Sequence, residues 1–201
     1  MKQIITIIGL FCLILQPIAA QNDSTKLLSE AKRNLKVIET YKSIALADSQ
    51  KNRLRAAYLV YQKNMDSIAT NFSNAKQASK SRLKLDKTWH STLMNTLTDQ
   101  QRLRYLTIKA IPTVLAKEAT QIELLRRSGL YSDHEMKLNE QKIYKYLMKE
   151  QVINLRDQYD VAKRRENIAW LRRQRPAPVK VCDLLEELQA KGKLKDGKIK
   201  W

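Results

Sequence analysis

Glycine and proline are nearly missing. The 201 residues hold four of each, with no proline between Pro17 and Pro112 and no glycine between Gly9 and Gly129. These are the strongest punctuators of turns, so roughly a hundred residues without either are read most economically as long helices. Aromatic residues make up only 6% of the chain, and together with the scarcity of glycine this argues against a sheet-rich fold. The predicted class is all-α: long antiparallel helices in an elongated or curved bundle or helical hairpin. Histidine occurs only at His90 and His134, and neither belongs to a pattern that closes a metal site. There is no glycine-rich phosphate loop, no nucleophile elbow and no serine near a histidine in a recognisable arrangement. No catalytic, cofactor or metal residue is expected, and the protein is not read as an enzyme.

Long apolar runs are also missing, with one exception at the start. Met1 and Lys2 lead into the greasy stretch Ile4 to Leu15, followed by Pro17-Ile18-Ala19-Ala20. That is the layout of a cleavable secretory signal peptide, and the run is too short to span a bilayer as a mature helix. Cleavage after Ala20 is expected, leaving Gln21 first, with the periplasm as destination. Cys12 is preceded by Phe11, where lipobox chemistry wants a small residue, so lipid attachment is not expected. With Cys12 lost, Cys182 is the sole remaining cysteine, and no intramolecular disulfide can form. It is read as a half-buried small apolar residue, not a nucleophile.

What is abundant is positive charge. Lys and Arg number 38 against 20 Asp and Glu, a formal net charge of +18, lowered by one when Lys2 leaves with the leader. In a cytosolic chain this balance would point first to nucleic acid, but export removes DNA and RNA as the usual partners. Unfolded or acidic polypeptides, anionic lipid and lipopolysaccharide remain.

Apolar residues recur at helical steps. One stripe runs Leu28, Ala31, Leu35, Ile38, Tyr41, Ala45; a cleaner one runs Leu54, Tyr58, Tyr61, Met65, Ile68, Phe72 at alternating steps of four and three, the spacing of a coiled-coil seam. Asn71 to Asn74 is the candidate turn before a basic helix carrying Leu85, Trp89 and Leu93. Gly129 suits a left-handed helix stop. Ser132 and Glu135 can then form a reciprocal capping box, with Tyr131 stapled onto Met136. From Asp133 the pattern Tyr144, Met148, Val152, Leu155, Tyr159, Ala162 predicts one helix to about Gln174, ~60 Å long. Pro176 and Pro178 are expected to end it. A short helix over Asp183 to Lys191, stopped at Gly192, would precede a frayed lysine-rich end. The expected organisation is a leader over 1–20, a helical domain over 21–175, and a Pro-containing linker, short helix and basic tail over 176–201.

Leu97-Thr98-Asp99-Gln100-Gln101 has a direct physical meaning. Thr98 can accept from the backbone N–H three residues on while Gln101 reaches back to the cap, and Asp99 places negative charge at the positive helix end. In an exported, basic, helical chain this stretch resembles the Spy/CpxP family of periplasmic proteins, whose mark is Leu-Thr-x-x-Gln, matched here at Leu97, Thr98 and Gln101. A second copy is degraded: Leu138-Asn139-Glu140-Gln141-Lys142 ends in lysine. The resemblance implies a curved helical homodimer whose basic concave face holds unfolded clients without ATP, acting as a holdase or envelope-stress protein. Export, basicity and helicity would equally suit a Skp-like tentacled chaperone, although no alternating run supplies its small β core.

Two cationic groups are the candidate client or anion surface. Arg102 and Arg104 follow the motif, with Arg126 and Arg127 at the far end of the same helix. Lys163, Arg164, Arg165, Arg172, Arg173 and Arg175 cluster around Trp170. The second group reads either as a patch for acidic clients or anionic headgroups, Trp170 adding amphipathic contact, or as a solvated helix end where cations suit the dipole. An envelope structural protein lying on anionic lipid is the alternative of a different class.

Overall fold

The computed structural model describes residues 44–71, 74–195 and 198–199. The predicted leader, Cys12, the stripe from Leu28 to Tyr41, Phe72, Lys200 and Trp201 lie outside the described residues. Six helices are described: α1 (Asp48–Asn71), α2 (Ala75–Thr96), α3 (Asp99–Ser128), α4 (Asp133–Arg156), α5 (Val161–Arg173) and α6 (Ala177–Ala190). A two-residue ladder follows, β1 (Leu194–Lys195) antiparallel to β2 (Lys198–Ile199), with Leu194 opposite Ile199. The fold is all-α. Among the described residues, no helix is long and apolar enough to cross a membrane. The chain divides into two compact units, Met1–Arg102 and Leu103–Trp201.

In the first unit α1 and α2 form an antiparallel hairpin. As residue numbers rise along α1 they fall along α2: Gln50 bonds the Thr96 carbonyl, the Tyr58 ring lies 5.5 Å from that of Trp89, and Tyr61 donates to Asp86 at 2.7 Å. α1 ends at Asn71 and α2 is capped at Asn74, the two ends of the predicted turn. Asn74 opens α2 by accepting from the N–H groups of Lys76 and Gln77, satisfying two orphan donors of the first turn. Of the predicted seam, Leu54 and Ile68 are buried while Tyr58, Tyr61 and Met65 are half-buried. The seam is therefore sealed at Leu54 and Ile68 and partly open between them.

The second unit packs one apolar cluster: Ala110, Val114, Leu124 and Leu125 from α3, Met136, Ile143, Tyr146 and Leu147 from α4, Leu171 from α5, and Val179, Cys182 and Leu185 from α6. Within α3, α4 and α6 the spacings are three, four, seven or ten, with adjacent pairs at Leu124–Leu125 and Tyr146–Leu147, which together make one broad apolar face on each helix. Burying each large aliphatic side chain contributes about 1.5–3 kcal/mol, and that of Leu125, Ile143 and Leu185 is nearly complete. The stripe expected from Tyr144 to Ala162 is a flank of this core: Tyr144, Met148, Val152 and Leu155 are only partly buried and Ala162 is exposed. The burying face lies one position away on the helix.

Two helix boundaries differ from expectation. The single helix predicted from Asp133 to Gln174 breaks after Arg156 and restarts at Val161. No glycine or proline makes the break; aspartates do. The buried Asp157 carboxylate accepts both arms of the Arg156 guanidinium, at 2.9 and 2.6 Å, and the Asn167 amide at 2.8 Å. Asp160 then caps α5 by accepting from Lys163 N–H at 3.0 Å. The other difference is at the prolines, read as a linker. Pro176 is the N-cap of α6, Pro178 sits buried in its first turn, and the helix begins six residues before Asp183. The first turn tolerates proline because its missing N–H would have no intrahelical acceptor anyway. Gly129 and Gly192 both take positive φ, 65° and 66°, at the two stops where glycine is expected.

Candidate functional site

The Leu97–Gln101 motif does more than start a helix. The cap itself forms as expected: Gln101 N–H donates to Thr98 Oγ1 at 3.3 Å, and Thr98 N–H donates to Gln101 Oε1 at 2.9 Å. The Gln101 amide then reaches across the first unit, its Nε2 donating to the Ala45 carbonyl at 2.6 Å. Gln50 Nε2 donates to Gln101 Oε1 at 2.9 Å and to the Thr96 carbonyl at 2.7 Å, while Gln50 Oε1 receives Ala47 N–H at 3.0 Å. Leu97 is 3% exposed, and Ile44 and Leu46 on the entering segment are buried as well. The paired amides thus tie the segment before α1 to the junction between α2 and α3. The motif is a structural latch, and Gln50, unmarked by local pattern, is its second half.

Replacing Gln101 with Ala is expected to lower the stability of this unit by about 1–2 kcal/mol, the usual cost of a lost cap with its hydrogen bonds. Amide hydrogen exchange at Ala47 to Lys51 should accelerate in step. Unchanged exchange there would contradict the latch.

Arg102, expected on the client surface, is turned inward. Its Nε donates to the Met94 carbonyl at 2.9 Å and a terminal nitrogen to the Leu97 carbonyl at 3.3 Å, closing the C-terminal turn of α2, and it pairs with Asp99. Arg126 pairs with Glu140 at 3.0 Å and Arg127 with Glu123 at 2.7 Å. Arg104 is exposed on α3. The Ser132–Glu135 box forms in both directions, and its hydrogen bonds hold the Glu135 carboxyl below the ordinary value. The residues named from the motif and the caps are therefore structural.

Around Trp170 the structure brings some of the expected cations together. Arg164, Arg165 and Arg172 surround a groove of ≈ 460 Å³ whose apolar part is Ile168 and Ala169, with Asn154 of α4. Arg164 is half-buried and donates to the Gln158 carbonyl at 3.3 Å; Arg165, Arg172 and Arg173 are exposed. Trp170 is 56% exposed, and neither it nor Arg173 lines this groove. Arg175 is ion-paired with Asp183.

A second feature had no motif to mark it. On the first unit's hairpin an open groove of ≈ 340 Å³ is lined by Ala56, Ala57, Val60, Tyr61, Leu85 and Trp89. Val60 is 61% exposed, a large apolar side chain left to water at the rim. Two of these lining residues are aromatic: Tyr61 and Trp89 contact each other and Tyr58 beside the groove, with centroids 5.5–6.2 Å apart, favourable edge and tilted geometries. Helical spacing places Arg53, Lys63 and Lys84 within one turn of these residues. Between Asp48 and Thr96 the chain carries nine Lys and Arg but only three Asp. Of the Leu54 seam, only Tyr61 lines the groove.

Cys182 is fully buried, more than the half-burial expected, with its Sγ 3.8 Å from the Gln121 carbonyl. Burial, with Glu186 and Asp183 nearby, pushes its pKa up to about 12, so the thiol is protonated and unreactive at neutral pH. Among the described residues, no group of three or more His, Cys, Asp or Glu could hold a metal ion. No protein-family model matches the chain, and the curated proteins and solved structures give no match either.

Proposed function

We propose that this is an exported, ATP-independent holdase that captures partly unfolded, acidic polypeptides on the α1–α2 hairpin. The observation that carries the reading is the open apolar groove on a strongly basic hairpin. Opposite charge draws the client in at long range. Client apolar side chains then lose contact with water against Val60, Leu85, Tyr61 and Trp89, each worth about 1.5–3 kcal/mol if fully buried. A groove this small holds only a few side chains, so binding is weak at any one place, and the client can release and fold. The leader-like first twenty residues and the likeness to Spy/CpxP proteins at Leu97, Thr98 and Gln101 support a periplasmic, stress-linked setting. The motif residues serve the fold that presents the groove and do not themselves touch client.

Light scattering from an aggregating client tests the proposal. In stoichiometric excess the protein is expected to suppress aggregation strongly at low salt and less at high salt, where screening shortens the reach of its charge to a few ångströms. Val60→Asp should remove most of the suppression at both salts while keeping helix content. Absence of suppression by the unmodified protein at either salt would overturn the reading.

A further inference from the structure

The second unit carries a charge arrangement that client capture on the hairpin does not use. On α4, Lys142, Lys145 and Lys149 step by three and four and line a second groove of ≈ 220 Å³ with Tyr146, Leu171, Gln174 and Pro176. All three lysines are exposed. The two grooves of this unit both draw on α4 and α5, Leu171 lining one and Arg172 the other.

Neither groove is lined by a carboxylate. A helix face evolved only for solubility mixes both signs, and this helix pair does contain acids, most of which are engaged elsewhere. Glu140 pairs with Arg126 and Glu150 with Lys117. Asp157 is held by Arg156 and Asn167, and Asp160 caps α5. Glu166 lines neither groove. Six cations are thus left facing two small concavities with nothing anionic among their walls.

We propose that these paired grooves bind phosphate groups, with Arg165 and Arg172 gripping one and Lys142, Lys145 and Lys149 another. Guanidinium forks match the oxygens of a phosphate, and lysines serve as mobile point charges around a compact anion. The lining, not the size, favours this class over an unfolded polypeptide. Three cations line each concavity, whereas the hairpin groove is walled mainly by apolar and aromatic side chains, so these two suit compact anionic groups better than the apolar side chains of a client. The phosphates can come from an anionic lipid headgroup or from a soluble phosphate compound. The inference is independent of the hairpin reading, since it concerns other residues in the other unit.

The test uses the full secreted chain with three probes: flotation with phosphatidylcholine vesicles containing phosphatidylglycerol, titration with inorganic pyrophosphate, and titration with poly-glutamate. Two variants neutralise the grooves, Lys142→Gln/Lys145→Gln/Lys149→Gln and Arg165→Gln/Arg172→Gln. A control, Lys76→Gln/Lys80→Gln/Lys87→Gln, removes three charges from α2, as many as the first variant and one more than the second. Circular dichroism verifies the fold, and Lys→Arg replacements at 142, 145 and 149 should retain binding. Each groove variant is expected to weaken phosphate binding by at least about tenfold, as loss of a charge-assisted hydrogen bond does, with the control within about twofold. Loss confined to vesicles assigns the lipid source; equal loss with pyrophosphate assigns phosphate from either source. The proposal is overturned if the control falls as far as the groove variants, if poly-glutamate binds as tightly and depends on the same residues, or if the unmodified chain binds no phosphate probe.

Discussion

Truncating Leu125 to alanine is expected to cost the second unit about 2–5 kcal/mol of stability, the range for removing a fully buried leucine whose surroundings collapse only partly. Leu125 is 0% exposed and belongs to a cluster drawing on four helices, α3 to α6. The comparison is Leu130→Ala, at a side chain 59% exposed, where the change should stay within about 0.5 kcal/mol. Urea unfolding followed by circular dichroism reads both. Equal, small losses would mean that the cluster is not the core of this unit.

The second large effect is expected at Asp157. Its side chain is only 4% exposed, while its partner Arg156 is 40% exposed. Asp157→Ala should cost about 1–3 kcal/mol, the range for leaving buried donors unsatisfied, held below the cost of a wholly buried pair because water reaches Arg156. The carboxylate also makes stability depend on pH. Burial alone would raise its pKa, but hydrogen bonds from Arg156 and Asn167 and the nearby charge of Arg156 outweigh burial and lower it. A lowered pKa means the unfolded chain takes up the proton first. The contribution is therefore complete above the ordinary carboxylate value near pH 4, and is lost as pH falls through the lowered value. In the unmodified protein the acid limb of stability should include this loss, and in Asp157→Ala it should be missing. Identical acid limbs would contradict the role assigned to Asp157.

These two sites show what local pattern can and cannot reveal. The helix stops at Gly129 and Gly192, the boxes at Thr98–Gln101 and Ser132–Glu135, and the Asn74 cap all depend on residues a few positions apart. They are therefore readable along the chain. The break at Asp157 was hidden because Tyr159 and Ala162 continue the apolar spacing, and the interruption depends on the carboxylate receiving Asn167 from ten residues away. The start of α6 is not legible along the chain because Pro176 and Pro178 have the form of helix terminators, although proline also suits a first turn. The face of α4 that is buried depends on where α3 and α6 dock, which periodicity alone does not specify. In the same way, the bond between Gln50 and Gln101 joins residues 51 apart, and nothing near Gln50 announces it.

The candidate sites divide along the same line. Charge was legible as a total but not as a pattern. Arg102, Arg126 and Arg127 stood out in the sequence and prove to be engaged within the fold, whereas Lys142, Lys145 and Lys149, spread over two turns of α4, line a groove. Val60 gave no local hint because its exposure depends on the packing of α1 against α2.

The most direct test of client capture places a photo-crosslinking residue at Val60 or at Leu83, one at a time, during incubation with an unfolding client. Both positions are equally open, 61% and 59% exposed, and both lie on the hairpin, but only Val60 lines the groove. The account predicts abundant crosslinks from position 60 and few from position 83. Equal yields from the two positions, or none from position 60, would contradict it.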